Sequence, residues 1–162
     1  MLKYINYEIL FQEVPDEISL CINISNCPNH CKGCHSQYLW EDKGTILNEE
    51  TLSKLIDQNN GITCVAFMGG DNDPEQVKEL AQSIKENYDL KICWYSGKSL
   101  LTNFDYTPFD FVKTGPYIAE YGGLDNPNTN QRFYKVVNKY DKFLYSTFED
   151  ITYKFQENGR KN

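Results

Sequence analysis

Residues 18–34 read ISLCINISNCPNHCKGC, and the change of pattern inside this stretch decides the rest. ISLCINIS (18–25) is rich in β-branched residues and predicts a strand. Residues 26–37, NCPNHCKGCHSQ, follow neither a helical nor a strand period, so they predict a loop. A strand that runs directly into such a loop brings Cys27, Cys31 and Cys34 together at its carboxyl end.

Outward from this point the chain alternates. Asn48 offers a helix N-cap, Glu49 and Glu50 suit the positive end of the helix dipole, and Leu52, Leu55 and Ile56 form an apolar stripe that Asn59-Asn60-Gly61 ends. ITCVAFM (62–68) is a continuous apolar run that stops at Gly69-Gly70, the pattern of a strand buried on both faces. Asp73, Pro74 and Gln76 predict the start of a second helix, with Val77, Leu80, Ala81 and Ile84 as its buried face. LKICWY (90–95), FDFVKT (109–114) and RFYKVV (132–137) predict further strands, and the aromatic, charged tail after Lys139 carries no clear period. Strands alternating with helices predict an α/β fold with a mostly parallel sheet. In such sheets ligands gather at the carboxyl ends of the strands. The cysteine loop, Gly69-Gly70-Asp71, Tyr95-Ser96-Gly97 and Lys113-Thr114-Gly115 should therefore share one edge.

The 162 residues suit one domain, 1–162. A formal net charge of −7 argues against general nucleic-acid or anionic-membrane binding, which needs a basic face. No run approaches the roughly 20 apolar residues of a membrane span, and MLKYINYEILFQEVPDE does not read as a secretory signal, so the expected location is the cytoplasm. Of the six cysteines, Cys21, Cys64 and Cys93 fall in apolar strands and read as small core hydrophobes.

Three thiolates on one short loop can wrap a soft-metal centre. Simple electron-transfer clusters have four cysteine ligands. Here no fourth cysteine is near in sequence, which would leave one iron of a 4Fe–4S cluster open. A zinc site with His30 or His35 as fourth ligand is a competing reading, although the spacings are not those of paired C-x2-C sites. A redox pair at Cys31 and Cys34 is another, but it leaves Cys27 unexplained.

The C-x3-C-x2-C loop after a first strand resembles the radical S-adenosylmethionine (SAM) superfamily. The fuller string Cys27-Pro-Asn-His-Cys31-Lys-Gly-Cys34 is similar to that of the activating proteins of anaerobic ribonucleoside-triphosphate reductase. So are Gly115-Pro116-Tyr117, Gly122-Gly123-Leu124 and Thr129-Asn130-Gln131-Arg132, and the likeness spans most of residues 15–137. It implies a 4Fe–4S cluster on the three loop cysteines and SAM on the open iron. It further implies a 5′-deoxyadenosyl radical that takes hydrogen from a glycine of the reductase large subunit, and a reduced one-electron donor such as flavodoxin.

The resemblance also implies a radical SAM barrel. A closed (β/α)8 barrel takes about 250 residues, so this chain should form an incomplete (β/α) barrel, open on one side. Gly69, Gly70 and Asp71 stand where such proteins carry Gly-Gly-Glu to hold the SAM amino group; the shorter Asp71 leaves Asn72 or a backbone carbonyl as alternatives. Lys113 can meet the SAM carboxylate, although the activase pattern has an acid near that place, and Ser96 can hydrogen-bond the cofactor. Gly33 replaces a common aromatic, leaving His35, Tyr38 or Trp40 to contact adenine, while Asn130, Gln131 and Arg132 are candidates for ribose or partner contacts.

Overall fold

The computed structural model describes residues 1–137 and 146–156, so the tail after Lys139 is described only from 146 to 156. The strands are β1 (Lys3–Leu10), β2 (Ser19–Ile24), β3 (Thr45–Ile46), β4 (Cys64–Met68), β5 (Lys91–Tyr95), β6 (Phe111–Thr114), β7 (Arg132–Val137) and β8 (Thr147–Asp150). Two α-helices, α1 (Glu49–Gln58) and α2 (Pro74–Asn87), lie between β3 and β5 in sequence. All eight strands form one sheet in the order β3-β1-β2-β4-β5-β6-β7-β8.

Local chemistry explains the helices. Asn48 accepts from the Thr51 amide at 2.9 Å and starts α1; Asp73 accepts from the Gln76 amide at 3.1 Å and starts α2, with Pro74 in its first turn. Leu52, Leu55 and Ile56 of α1 and Val77, Leu80, Ala81 and Ile84 of α2 pack with Leu20, Ile22, Val65, Phe67, Ile92 and Trp94 in one core. Both helices therefore cover the same face of the sheet. The other face carries Cys21, Cys64, Ala66, Cys93, Phe111 and Phe133; irregular chain covers it through Val14, Leu124 and Ile151, and a short 3-10 helix (Thr152–Phe155) through Phe155.

The parallel centre is β2-β4-β5-β6, and its register aligns Asn23, Met68, Tyr95 and Lys113 on one rung near the carboxyl ends. Chain leaving this rung enters the cysteine loop, Gly69–Asn72, Ser96–Lys98 and Gly115–Pro116. The expectation that these segments share one edge agrees with this register.

The expectation of an incomplete (β/α) barrel with a mostly parallel sheet is overturned. Among the described residues three strand pairings are parallel and four are antiparallel. Two causes are physical. Residues 96–110, between β5 and β6, form no helix. Phe104, Tyr106 and Phe109 instead pack around buried Trp94, with ring centroids 5.5, 6.3 and 5.7 Å away, and shield it as a helix would. Without a crossover helix after β6, the chain returns antiparallel as β7 and then β8, since a parallel neighbour needs a long crossover. At the other flank β1, which the sequence reading did not identify as a strand, pairs antiparallel with β2 and carries the short β3.

Candidate metal centre

The cysteine loop is an excursion with a stitched base. Beyond β2 the Ser25 amide donates to the Lys3 carbonyl at 2.9 Å and the Ser25 hydroxyl to that of Lys43 at 2.5 Å. The Asn26 and Cys27 amides reach back to the carbonyls of Glu41 and Leu39 at 3.2 and 3.0 Å. The His30 ring stacks on Trp40, with centroids 4.7 Å apart. Within the loop the Cys34 amide donates to the Cys31 carbonyl at 3.1 Å, a tight turn whose third residue, Gly33, has φ +79°. That left-handed position suits glycine, and it separates the second and third thiols by a defined bend.

Cys27, Cys31 and Cys34 are free and half-buried. Two of their sulfurs already face N–H donors: Asn29 Nδ2 lies 3.7 Å from Cys27 Sγ, and the Ser36 amide 3.3 Å from Cys34 Sγ. Among the described residues no three His, Cys, Asp or Glu side chains converge as ligands of a single ion. A cubane cluster makes a different demand, because each thiolate binds its own iron corner. Free thiols spread along one bent loop, with N–H groups aimed at sulfur, fit that demand.

Asp71 is the hub beside the loop. It is buried, and its carboxylate accepts from Asn29 Nδ2 at 2.6 Å, from Ser96 Oγ at 2.5 Å and from the Gly97 amide at 2.7 Å. A carboxylate has about four acceptor sites, so three are engaged within the protein. Ser96 is buried and committed to this contact, and its hydroxyl also accepts from the Lys98 amide at 3.0 Å. Gly69 and Gly70 have φ +108° and +97°; a Cβ on Gly70 would stand 2.5 Å from Val77, so the turn is closed to larger residues. Trp94 Nε1 donates to the Gly69 carbonyl at 2.9 Å. Asn72, next to Asp71, leaves its Oδ1 buried with no partner.

Lys113 is buried and donates to the carbonyls of Gly115 at 2.8 Å and Ser96 at 3.4 Å. Burial pulls its pKa down to about 8, against the opposing pull of Asp71 and of Cys31, Cys34 and Cys27. This buried cation therefore lies within electrostatic reach of all three loop thiols.

The segment after β6 closes over the loop. A Cβ at Gly33 would lie 3.7 Å from the Tyr117 ring and 3.9 Å from Ala119, and the Tyr117 ring stands 5.5 Å from that of His35. Tyr117 thus occupies the space above Gly33. Asn130 donates to the Pro116 carbonyl at 3.0 Å and keeps Oδ1 buried and unpartnered, while Thr129 and Gln131 are buried. Arg132 faces Asp150 on β8 at 3.7 Å. The sequence reading did not single out Asn29, Gly97 or the position of Tyr117. Asn29 lies inside the quoted cysteine string, but its partner Asp71 is 42 residues away.

The family described as 4Fe–4S single cluster domain matches residues 18–113, from the start of β2 to Lys113. The chain belongs to this family. The matched span contains the cysteine loop, Asp71, Ser96 and Lys113, so the family unit takes in both the loop and the edge that supports it. Membership makes this an iron–sulfur protein with a single 4Fe–4S cluster domain, consistent with redox chemistry. No curated protein matches the chain. No helix among the described residues is long and apolar enough to cross a membrane.

Proposed function

We propose that the protein is a radical SAM activase that makes a glycyl radical on an anaerobic ribonucleotide reductase. The supporting observation is the trio Cys27, Cys31 and Cys34, free and half-buried on one loop, while Cys21, Cys64 and Cys93 are buried in the sheet. Three ligands leave one iron open to SAM. When bound, the cluster supplies one electron to the SAM sulfonium, whose C5′–S bond breaks to give methionine and a 5′-deoxyadenosyl radical.

The chain's own residues bind and orient SAM. The Gly69-Gly70 turn keeps bulky side chains away from the carboxyl edge. Asn72 Oδ1, a buried acceptor without a partner, receives the SAM ammonium, because the Asp71 carboxylate is engaged three times over. Lys113 supplies the positive charge that a SAM carboxylate needs. Tyr117 stands against the loop beside Gly33. The partner's glycine loop approaches this edge, where Tyr38 and Tyr121 are exposed. With cluster and SAM bound, that glycine would give up a hydrogen atom to the cleaved cofactor and be left as the glycyl radical. The electron comes from a reduced one-electron donor such as flavodoxin.

The test is anaerobic incubation of the reconstituted protein with SAM and a strong reductant, followed by chromatography. Methionine and 5′-deoxyadenosine are expected in equal amounts, and Asn72→Ala should weaken SAM binding while the cluster is retained. Adding the cognate reductase should give a doublet glycyl signal in electron paramagnetic resonance that requires all components. An intact cluster that yields no 5′-deoxyadenosine overturns the radical SAM reading. SAM cleavage without the glycyl signal overturns the choice of reductase as target.

A further inference from the structure

We propose that Asn29 and Asp71 form a latch that holds the cysteine loop on the sheet edge and fixes Cys27 for the cluster, Asp71 acting as a positioning residue. Asn29 lies between the first and second cysteines. Its one amide nitrogen lies 2.6 Å from Asp71 Oδ2 and 3.7 Å from Cys27 Sγ. An amide NH2 carries two protons, so one can serve the carboxylate and the other the sulfur. Among the described residues this is the one hydrogen bond tying residues 28–35 to the sheet edge; the other bonds of that stretch are internal to the loop.

The anchor itself is rigid. Asp71 is 4 % exposed and is gripped from the β5 side by Ser96 Oγ and the Gly97 amide, while the Lys98 ammonium takes its carbonyl at 3.2 Å. Ser96 in turn accepts from the Lys98 amide and, through its carbonyl, from Lys113. The order imposed by two strand ends thus passes through Asp71 to Asn29 and so to Cys27. Gly97 shows how close the fit is: a Cβ there would stand 2.3 Å from Asn29 Nδ2 and 2.9 Å from its Cγ. Partners that orient a ligand in this way set both the retention and the electronics of a metal centre, and hydrogen bonds to sulfur raise a cluster's potential.

The inference stands on the cluster alone and is read without SAM, so failure of SAM cleavage does not touch it. The full chain is reconstituted anaerobically as wild type, Asp71→Ala, Asn29→Ala, Gly97→Ala and the Asp71→Ala/Asn29→Ala double variant. Three readouts are taken: the rate of iron loss to a ferrous chelator, the midpoint potential, and the resonance spectrum of the reduced cluster. Each single variant should release iron about 10-fold faster, the scale seen when a ligand's orienting partner is lost. The double variant should be no worse than Asp71→Ala alone, because the bond that Asn29→Ala removes is already lost there. Asn29→Ala and Gly97→Ala should also lower the midpoint potential and alter the spectrum, which a loss of general stability would not do. Gly97→Ala displaces Asn29 while the cysteines and Asp71 keep their side chains, so the test survives if Asp71→Ala fails to fold. Wild-type release rates and potentials in Asn29→Ala and Gly97→Ala, or additive effects in the double variant, overturn the latch.

Discussion

Two sets of three cysteines divide the molecule. Cys27, Cys31 and Cys34 lie half-buried on irregular chain, where backbone turns present sulfur to the outside and N–H groups face two of them. Cys21, Cys64 and Cys93 lie on β2, β4 and β5, all on the face away from the helices, within a layer completed by Ala66, Phe111, Phe133 and Val14. Burial pushes Cys21 and Cys64 up to about 12, and Cys93 well above the ordinary thiol range. The same side chain is a candidate metal ligand in one place and an inert packing group in the other. The teaching is that cysteine count says little; backbone geometry and solvation decide whether a thiol can become a ligand.

The sharpest way to break this comparison is to exchange the roles by mutation. Cys31→Ala should abolish the cluster, whereas Cys64→Ala should keep the roughly four irons and four sulfides of a single cubane, read by iron and acid-labile sulfide analysis. Full cluster content in Cys31→Ala, or its loss from folded Cys64→Ala, would end the division.

A second test reads reactivity in the metal-free chain. With pKa values pushed up to about 12, Cys21 and Cys64 hold roughly a thousandth of the thiolate that ordinary thiols would; Cys93 is shifted in the same direction, and burial blocks access to all three. Brief alkylation at pH 8 followed by mass spectrometry should label Cys27, Cys31 and Cys34 and leave Cys21, Cys64 and Cys93 unmodified. Rapid labelling of Cys93 would show that the sheet face is open.

The smallest expected effect is on stability in alkali. The strand thiols have higher pKa values folded than unfolded, so the folded chain holds their protons longer. Their contribution is complete below the unfolded value and is lost as pH rises through it towards 12 for Cys21 and Cys64. Each such thiol should cost roughly 1.5 kcal/mol between pH 8 and pH 10. Urea melts at the two pH values should show this drop, and Cys64→Ala should lessen it by one thiol's share. An identical pH dependence in Cys64→Ala would mean that Cys64 is not held protonated by the fold.

Where interactions are local, the chain announced them. Asn48 and Asp73-Pro74 start helices through bonds to amides three residues on, and the spacing of Leu52, Leu55 and Ile56 marks a buried stripe. The runs at Cys64–Met68 and Lys91–Tyr95 become the sheet's centre. What was not legible depends on pairing at a distance. Lys3–Leu10 has a mixed burial pattern and alternates poorly, although its Tyr and Ile content hints at strand. The reversal of β7 follows from the missing helix after β6, and the edge strand β8 has little buried face to signal it.

The sequence by itself determined the cysteine spacing, the two helices and the strands of the parallel centre, because caps, apolar periods and tight turns act over a few residues. Only the tertiary structure decided that the flanks of the sheet run antiparallel. It alone showed that an aromatic cluster replaces a helix over Trp94, that Tyr117 lies beside Gly33, and that Asn29 meets Asp71. These contacts join segments tens of residues apart, where the outcome rests on which surfaces exclude water together and not on any local preference of the chain.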